Sequence, residues 1–426
     1  MSFYLGIDFG TSGARAVVID AEGTIQAETQ YPFAEVSGKG AECLTPTAVA
    51  WEKALFSLME QLPQQIRGKI KAIAIDGTSS TVLLCDATGQ PIAEPLMYND
   101  GRGVEALEQL KTIAPPNHTV LSATSSLAKL LWLIQNSNFK VQNLYFLHQA
   151  DWLAFLLHGQ LGISDYHNAL KLGYEPEQLC YPTWMEQLPE TPVLPQVFAP
   201  GTLVGEVTAD ISRRLGLPRD CVVCTGTTDS IAAFLASGAK SPGEAVTSLG
   251  STLVLKLLSH TRVDDARYGI YSHRLGDLWL TGGASNTGGA VLRHFFSDAE
   301  LESLSCQIEA EKESPLDYYP LLKKGDRFPI NDPNLPPQLE PRPATSVEFL
   351  HGLLESMARI EARGYQLLQQ LGATPVTRVY TAGGGAKNPA WTIIRGRHLQ
   401  IPVLSSIHTA AAYGTARLAR QNTCQK

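Results

Sequence analysis

The sequence predicts an α/β protein of two domains, and three observations carry that expectation. The chain has 426 residues, more than one ordinary core, since domains run to roughly 100–200 residues. Short apolar runs read as strands and alternate with segments whose apolar residues recur at helical spacing. The stretch from Gly6 to Val18 reads as strand, Gly-Thr-Ser-Gly turn, strand. The stretch from Ala245 to Leu255, roughly 240 residues later, repeats that grammar around Gly250-Ser251-Thr252.

The first 25 residues form a meander. Phe3 to Ile7 is one run, Gly10 to Gly13 a turn, Ala16 to Ile19 a second run, and Ala21-Glu22-Gly23 turns the chain into a third strand near Thr24. Thr45 is placed to cap a helix with Pro46 at its first position, and Trp51, Leu55, Leu58, Met59 and Leu62 share one helical face. Ile70 to Ile75, the polar turn Asp76-Gly77-Thr78-Ser79-Ser80, and Thr81 to Cys85 again give strand, turn, strand. From Ser122 to Gly159 the pattern is helical, with a second helix around Ala150 to Leu157 and Asp151 as a helix-starting residue.

The second half begins near Val222. Cys221 to Cys224 runs into Thr225 to Ser230 and a small-residue helix, Ile231 to Ala236. The proline-rich stretch from Pro315 to Pro343 reads as an irregular surface crossing. Thr345 and Glu348 form a capping box that opens a long helix ending at Gly372. A strand at Val376 to Tyr380, the loop Gly383-Gly384-Gly385, a helix from Pro389 to Gly396, and a small-residue helix from Thr409 to Arg420 complete the chain.

Composition narrows the function classes. With 44% apolar and 18% charged residues the chain is a folded one. A net charge of −7 lacks the basic face that neutralises nucleic-acid phosphates. The richest apolar candidate, Trp152 to Leu157, falls far short of the about 18 residues a membrane helix needs. The amino terminus reads as a strand, not a signal peptide. The seven cysteines show no disulfide spacing. Cys221-Val-Val-Cys224 reads as two thiols in a buried strand, because a redox motif opens a helix and a zinc site needs a second ligand pair. A cytoplasmic protein with neither nucleic-acid nor membrane partners is expected, as a monomer or small homo-oligomer.

Three polar, glycine-containing turns follow apolar strands: Asp8 to Gly13, Leu249 to Thr252, and Ala382 to Asn388. Glycine permits close backbone approach to phosphate, consecutive amides form an anion-binding concavity, and a carboxylate such as Asp8 can hold a magnesium ion. Taken alone, each turn also reads as a plain hairpin or loop. Neither a Gly-x-x-x-x-Gly-Lys-Ser/Thr loop nor a Gly-x-Gly-x-x-Gly after the first strand is present.

In order along the chain, these motifs resemble the FGGY carbohydrate kinases, within the actin, Hsp70 and sugar-kinase superfamily. The matching residues are Gly6 to Arg15, Gly226-Thr227-Thr228-Asp229, Ser248 to Thr252, Gly282 to Asn286, Gly325-Asp326-Arg327-Phe328-Pro329 and Gly383 to Asn388. They span almost the whole chain, with the closest likeness to the short pentulose kinases of cyanobacteria and plastids. The resemblance implies two actin-like (ribonuclease H-like) domains with a cleft between them, closing over sugar and ATP. It assigns residues 1–226 to a sugar-binding N-terminal domain, with the last helix, 408–426, packing back on it. Residues 227–407 become an ATP-binding C-terminal domain.

The resemblance also distributes roles. Asp229 corresponds to the catalytic base; on the residues alone it also reads as a helix cap. Asp8 corresponds to the metal-associated aspartate for Mg2+. Thr11, Ser12 and Gly13 cover the terminal phosphates, Gly250, Ser251 and Thr252 form a second phosphate turn, and Gly283, Gly384, Gly385 and Asn388 complete the ATP-binding set. For the sugar, Asp8, Asp229, Ser230 and the Asp76 to Ser80 turn are the candidates, with Ser79 preferred within that turn.

Tyr98 to Arg102 corresponds to a Trp-x-Asp-x-Arg segment near the sugar, with Tyr98 in place of the tryptophan; Asp100 and Arg102 read equally as a solvated pair. His167 borders the sugar or packs in a loop. Arg395-Gly396-Arg397-His398 stands where the family carries an aspartate-containing segment. The chain is also shorter than most xylulose and glycerol kinases.

An ATP-dependent kinase forming D-ribulose 5-phosphate from D-ribulose is the expected activity. The alternatives are a D-xylulose kinase and, in another class, an actin-like ATPase or nucleotide-dependent binding protein without a sugar acceptor.

Overall fold

The computed structural model describes residues 2–33, 47–136 and 143–421. Contacts divide the chain into two compact units: residues 1–236 with 410–426, and residues 237–409. The sequence reading placed the division at 226–227. The helix Asp229–Ala236 stays with the first unit because it packs on the C-terminal helix Ala411–Gln421. That contact is close enough that a side chain on Gly414 would overlap the Ala232 carbonyl oxygen, at 1.9 Å.

The first unit is built on a seven-stranded sheet. Its strands are β1 (Phe3–Phe9), β2 (Gly13–Ile19), β3 (Ile25–Pro32), β4 (Ile70–Gly77), β9 (Leu203–Glu206), β10 (Val222–Cys224) and β11 (Thr227–Thr228). They run in the order β3-β2-β1-β4-β10-β9, with β11 also on β4. Strands β1 to β3 form an antiparallel meander, while β4 lies parallel to β1 and β10 parallel to β4. Between β4 and β9 come two small pairs, β5 (Val82–Cys85) with β6 (Tyr145–His148), and β7 (Ile163–Asp165) with β8 (Gln196–Phe198).

Strand β1 is buried on both faces, which is why its sequence is a continuous apolar run. Phe3, Leu5, Ile7 and Phe9 share a core with Trp51, Leu55 and Met59 of helix Ala48–Gln61. On the opposite face Tyr4 meets Ala412 and Ala416 of the C-terminal helix. Gly6 is required there: a β-carbon would lie 2.1 Å from the Ala412 oxygen and the Ala416 nitrogen. The alanines of that last helix are thus its packing face. Thr45 and Pro46 lie outside the described residues, and helix Ala48–Gln61 is capped by Thr47, whose Oγ1 accepts from the Ala50 N–H at 3.3 Å.

The second unit repeats the topology. Its six strands, β12 (Glu244–Leu249), β13 (Leu253–Ser259), β14 (Tyr271–Leu275), β15 (Leu278–Ser285), β16 (Arg378–Ala382) and β17 (Val403–Ser405), run β14-β15-β13-β12-β16-β17. Here β12, β13 and β15 are antiparallel and β16 lies parallel to β12, as β4 does to β1. The capping box at Thr345 is present, and the helix it opens, Ser346–Gln370, supplies one face of the core.

The proline-rich segment is irregular, yet it is more than a surface crossing. Phe328 is fully buried, and β-carbons on Gly283 or Gly364 would strike its ring. Asp326 accepts from Ser285 Oγ (2.8 Å), Tyr319 Oη (2.5 Å) and the Asn286 and Arg327 N–H groups (2.7 and 2.8 Å). Buried hydrogen bonds and an aromatic anchor thereby fix a segment that has no ladder of its own.

Candidate active site

In the first unit, the parallel register of β1 and β4 sets Asp8 beside Asp76, and that of β4 and β11 sets Thr227 on the other side of Asp76. Neighbouring strands lie about 4.8 Å apart, so the ends of three strands present one row of polar side chains. Two residues beyond Thr227, Asp229 opens its helix, half-buried, with Oδ1 accepting the Ser230 N–H at 2.6 Å. Ser230 itself is exposed.

Asp76 is fully buried. Its Oδ2 accepts the hydroxyl of Thr415 from the C-terminal helix, while Oδ1 meets no donor. Burial, with the charge of Asp8 beside it, pushes the Asp76 carboxyl well above the usual carboxylate range. Burial also raises Asp8, against the opposing hydrogen bond from Asp76; the Asp229 charge adds to the rise, and Arg15, opposite Asp8 on β2, works against it. Two carboxyls this close and this dry hold a proton between them, because like charges in a low dielectric cannot both ionise cheaply.

The orphaned Oδ1 of Asp76 beside a second carboxylate suits a divalent cation in place of that proton. Among the described residues no group of three or more His, Cys, Asp or Glu side chains closes a metal cage. A magnesium ion fits such an open site, since it keeps several waters and is bound by one or two carboxylates and by phosphate oxygens.

The surroundings are mostly hydroxyls, amides and imidazole. His167 is buried, its Nδ1 2.7 Å from Thr227 Oγ1, in a short helix capped by Asp165. Burial raises Asp165 to about 7, with the charge of Asp151 adding to it. Gln149 Oε1 accepts the Thr78 N–H at 3.1 Å, and Ser79 is half-buried beside it. The Thr228 hydroxyl is buried with no hydrogen-bond partner. Asp151 bonds the His148 N–H at 3.1 Å in a capping box, the helix-starting role its sequence position suggested.

In the second unit, three backbone segments crowd together. The turn after β12 carries Gly250, Ser251 and Thr252. The Gly289 and Ala290 N–H groups donate to Gly250 and Ser251 carbonyls at 2.8 and 3.1 Å, and Arg293 reaches Ser251 Oγ at 3.1 Å. Gly383, after β16, adopts φ +83°, and a β-carbon there would lie 2.7 Å from the Leu249 oxygen. Only glycine accepts both that conformation and that contact.

Beneath this turn Arg395 is fully buried. Its guanidinium makes two bonds to Glu361 (2.6 and 2.7 Å) and one to Thr381 Oγ1 (2.7 Å), tying helix Pro389–Leu399 to helix Ser346–Gln370 and to β16.

Comparison with known proteins gives this geometry its relatives. The FGGY family of carbohydrate kinases matches through its N-terminal domain over residues 3–236 and its C-terminal domain over residues 245–421. The chain belongs to the FGGY family of carbohydrate kinases. A xylulose kinase of Streptomyces rubiginosus is 28% identical over 436 residues, covering 93% of this chain and 84% of its own. A ribulokinase of Geobacillus thermodenitrificans is 25% identical over 302 residues, covering 60% of this chain and 53% of its own. Among solved structures, the gluconate kinase of Lactobacillus acidophilus superposes with a TM-score of 0.84 at 17% identity, covering all of this chain and 90% of that one. The fold is the two-domain, actin-like α/β fold of these sugar kinases.

Within this FGGY kinase, the sequence-selected residues fall into distinct settings. Asp8 and Asp229 come together electrostatically with Asp76 in the first unit. Thr11 and Ser12 are exposed in the β1–β2 turn, closed by the Gly10 N–H on the Gly13 carbonyl at 3.0 Å. In the second unit Gly250 lies in the turn after β12, and Gly384 and Gly385 open the short 3-10 helix Gly384–Lys387; a β-carbon on Gly385 would strike Leu249 and Trp391. Gly283 lies within β15 against Phe328. Asn388 caps the following helix, accepting the Trp391 N–H at 3.0 Å and donating to Ser305 Oγ at 2.8 Å.

Asp100 and Arg102 form a close pair at 2.6 Å, with the guanidinium 4.6 Å over the Trp132 ring. Sequence reasoning named Asp76 only within the Asp76 to Ser80 turn of sugar candidates and Thr227 only within the Gly226 to Asp229 motif, and gave no place to Thr415. The one signal for Asp76 was its position at the end of a strand with the same apolar grammar as β1.

Proposed function

We propose that this chain transfers the γ-phosphoryl group of ATP to a terminal hydroxyl of a pentulose, with D-ribulose as acceptor and D-ribulose 5-phosphate as product. The observation that carries the reading is the placement of Asp229. It heads a helix beside the Asp8–Asp76 carboxyl pair in the first unit, within a chain whose whole length follows the carbohydrate-kinase pattern.

Phosphoryl transfer to an alcohol needs a group to take the hydroxyl proton and charge to offset the phosphates. Asp229 takes that proton. Asp8, with Asp76 beside it, would hold Mg2+, which when bound would neutralise phosphate charge. Ser79 and Ser230 offer hydroxyls to the sugar, and the buried, unpartnered Thr228 hydroxyl is a further candidate. Thr11 to Gly13, Gly250 to Thr252 and the Gly383 to Gly385 segment supply backbone amides to the nucleotide, with open space beside Gly384.

A second reading, a D-xylulose kinase, has its own support. Xylulose kinases match this chain over nearly its full length, whereas the ribulokinase match is partial. The two ketoses differ at one stereocentre.

The test is ATP consumption, coupled to ADP detection, across ketoses, aldoses and polyols with Mg2+. Stimulation by D-ribulose supports the first reading and preference for D-xylulose the second. ATP hydrolysis indifferent to every sugar would overturn both in favour of a nucleotide-dependent ATPase.

A further inference from the structure

Lys129 is among the largest fully buried side chains of the protein. It stands in the first turn of helix Ser126–Asn136, after Ser125, whose Oγ accepts the Ala128 N–H at 3.1 Å. Both placements oppose a cation. Burial strips its water, and the amino-terminal end of a helix carries partial positive charge. A lysine kept there has a task that only its N–H groups perform.

Its Nζ donates to two backbone carbonyls, that of Ser80 at 2.7 Å and that of Met97 at 2.6 Å. The first belongs to the turn that follows Asp76 and carries Ser79. Ser80 sits there at φ +63°, a left-handed conformation that a serine holds only when its surroundings fix it. The second belongs to the segment leading into Asp100, whose own N–H also donates to Met97 O, at 2.9 Å. Burial pulls the Lys129 amine down to about 7, with Asp100, Lys171 and Arg102 as its charged neighbours. The neutral amine still has two N–H groups, enough for both carbonyls, so the bridge stands in either protonation state.

We propose that Lys129 is a positioning residue for the acceptor sugar: it locks the Ser79–Ser80 turn to the Met97–Asp100 segment, so that both hold one geometry. This rests on the reading of Ser79 as a sugar contact. Lys129 acts through backbone carbonyls and touches no reacting atom.

Amide hydrogen exchange and steady-state kinetics test it together. In the wild type, amides of 78–82 and 97–101 open as one unit, with a common denaturant dependence. In Lys129→Met, which keeps the apolar stem, both segments exchange faster while the amides of helix Ala48–Gln61 do not. The ketose KM rises at least about tenfold, while that for ATP stays within about twofold. Lys129→Gln, which retains two donors, falls between.

Independent opening of the two segments in the wild type overturns the bridge without needing any variant. An unchanged ketose KM in a folded Lys129→Met protein overturns its role in positioning. Absence of sugar-stimulated turnover in the wild type would sink the kinase reading, and the positioning role with it, while the exchange data still judge the bridge.

Discussion

Thr415 donates its hydroxyl hydrogen to Oδ2 of Asp76, joining the C-terminal helix to the strand beside Asp8 across 339 residues of sequence. The bond satisfies one oxygen of a carboxyl whose other oxygen has no donor. It thereby fixes which oxygen remains for a cation.

Thr415→Val keeps the shape and removes this donor. Leaving a buried acceptor unsatisfied costs about 1–3 kcal/mol, and chemical denaturation at neutral pH is expected to show a loss of that size. Thr415→Ser, which retains the hydroxyl, should recover most of it. Equal midpoints for wild type and Thr415→Val would show that the bond contributes nothing.

The carboxyl pair sets a pH dependence. Asp8 and Asp76 are both raised above the ordinary aspartate value of 3.8, so the folded protein holds a proton that the unfolded chain releases. Stability from this source is complete below about pH 3.8 and is lost as pH rises through the folded-state values. Without Mg2+, Asp76→Asn should therefore gain stability relative to wild type as pH rises from 4 to 8. Unfolding midpoints measured across that range decide it, and a wild-type advantage that grows with pH would refute it.

If Asp8 and Asp76 hold Mg2+ as proposed, the ion competes with the same proton. Titration calorimetry in buffers of different ionisation enthalpy should show proton release on Mg2+ binding and tighter binding at higher pH. Asp8→Ala should abolish both effects. Binding that is independent of pH would place the ion elsewhere.

Asp229 is the proposed base. Asp229→Ala should lower sugar-stimulated turnover by about 10²–10⁴-fold, with ATP affinity, read by direct titration, little changed. Turnover close to wild type would remove Asp229 from the mechanism.

Arg395 and Glu361 are a buried pair beneath the Gly383–Asn388 loop. Arg395→Met leaves the carboxylate uncompensated and should cost about 3–5 kcal/mol. Adding Glu361→Gln should return part of that, because the unpaired charge is gone. If the double variant is no more stable than the single one, the cost lies in packing, not in charge.

Local chemistry made much of the architecture legible. The Gly-Thr-Ser-Gly turn between two apolar runs, the Thr345–Glu348 capping box and the apolar helical stripes each depend on residues within a few positions of one another, and each appears in the structure. The repeated strand–turn–strand pattern emerged as two sheets of one topology. Gly6-Ile7-Asp8 and Gly226 to Asp229 were singled out through their resemblance to the family's motifs, and the structure sets β1 and β11, which carry them, against β4.

What the tertiary structure decided was which distant groups meet and what state that contact imposes on them. Strand register placed Asp76 beside Asp8, and helix packing brought Thr415 to it. Burial turned Arg395 inward onto Glu361, where the string Arg395 to His398 could only be read as a departure from the family pattern. Nothing in the sequence singled out Lys129; its role rests on the two distant carbonyls, of Ser80 and Met97, that its amine reaches. Sequence fixes propensity and period over a few residues. Protonation, orphaned acceptors and bridging donors arise from desolvation and long-range register, which exist only once the chain has folded.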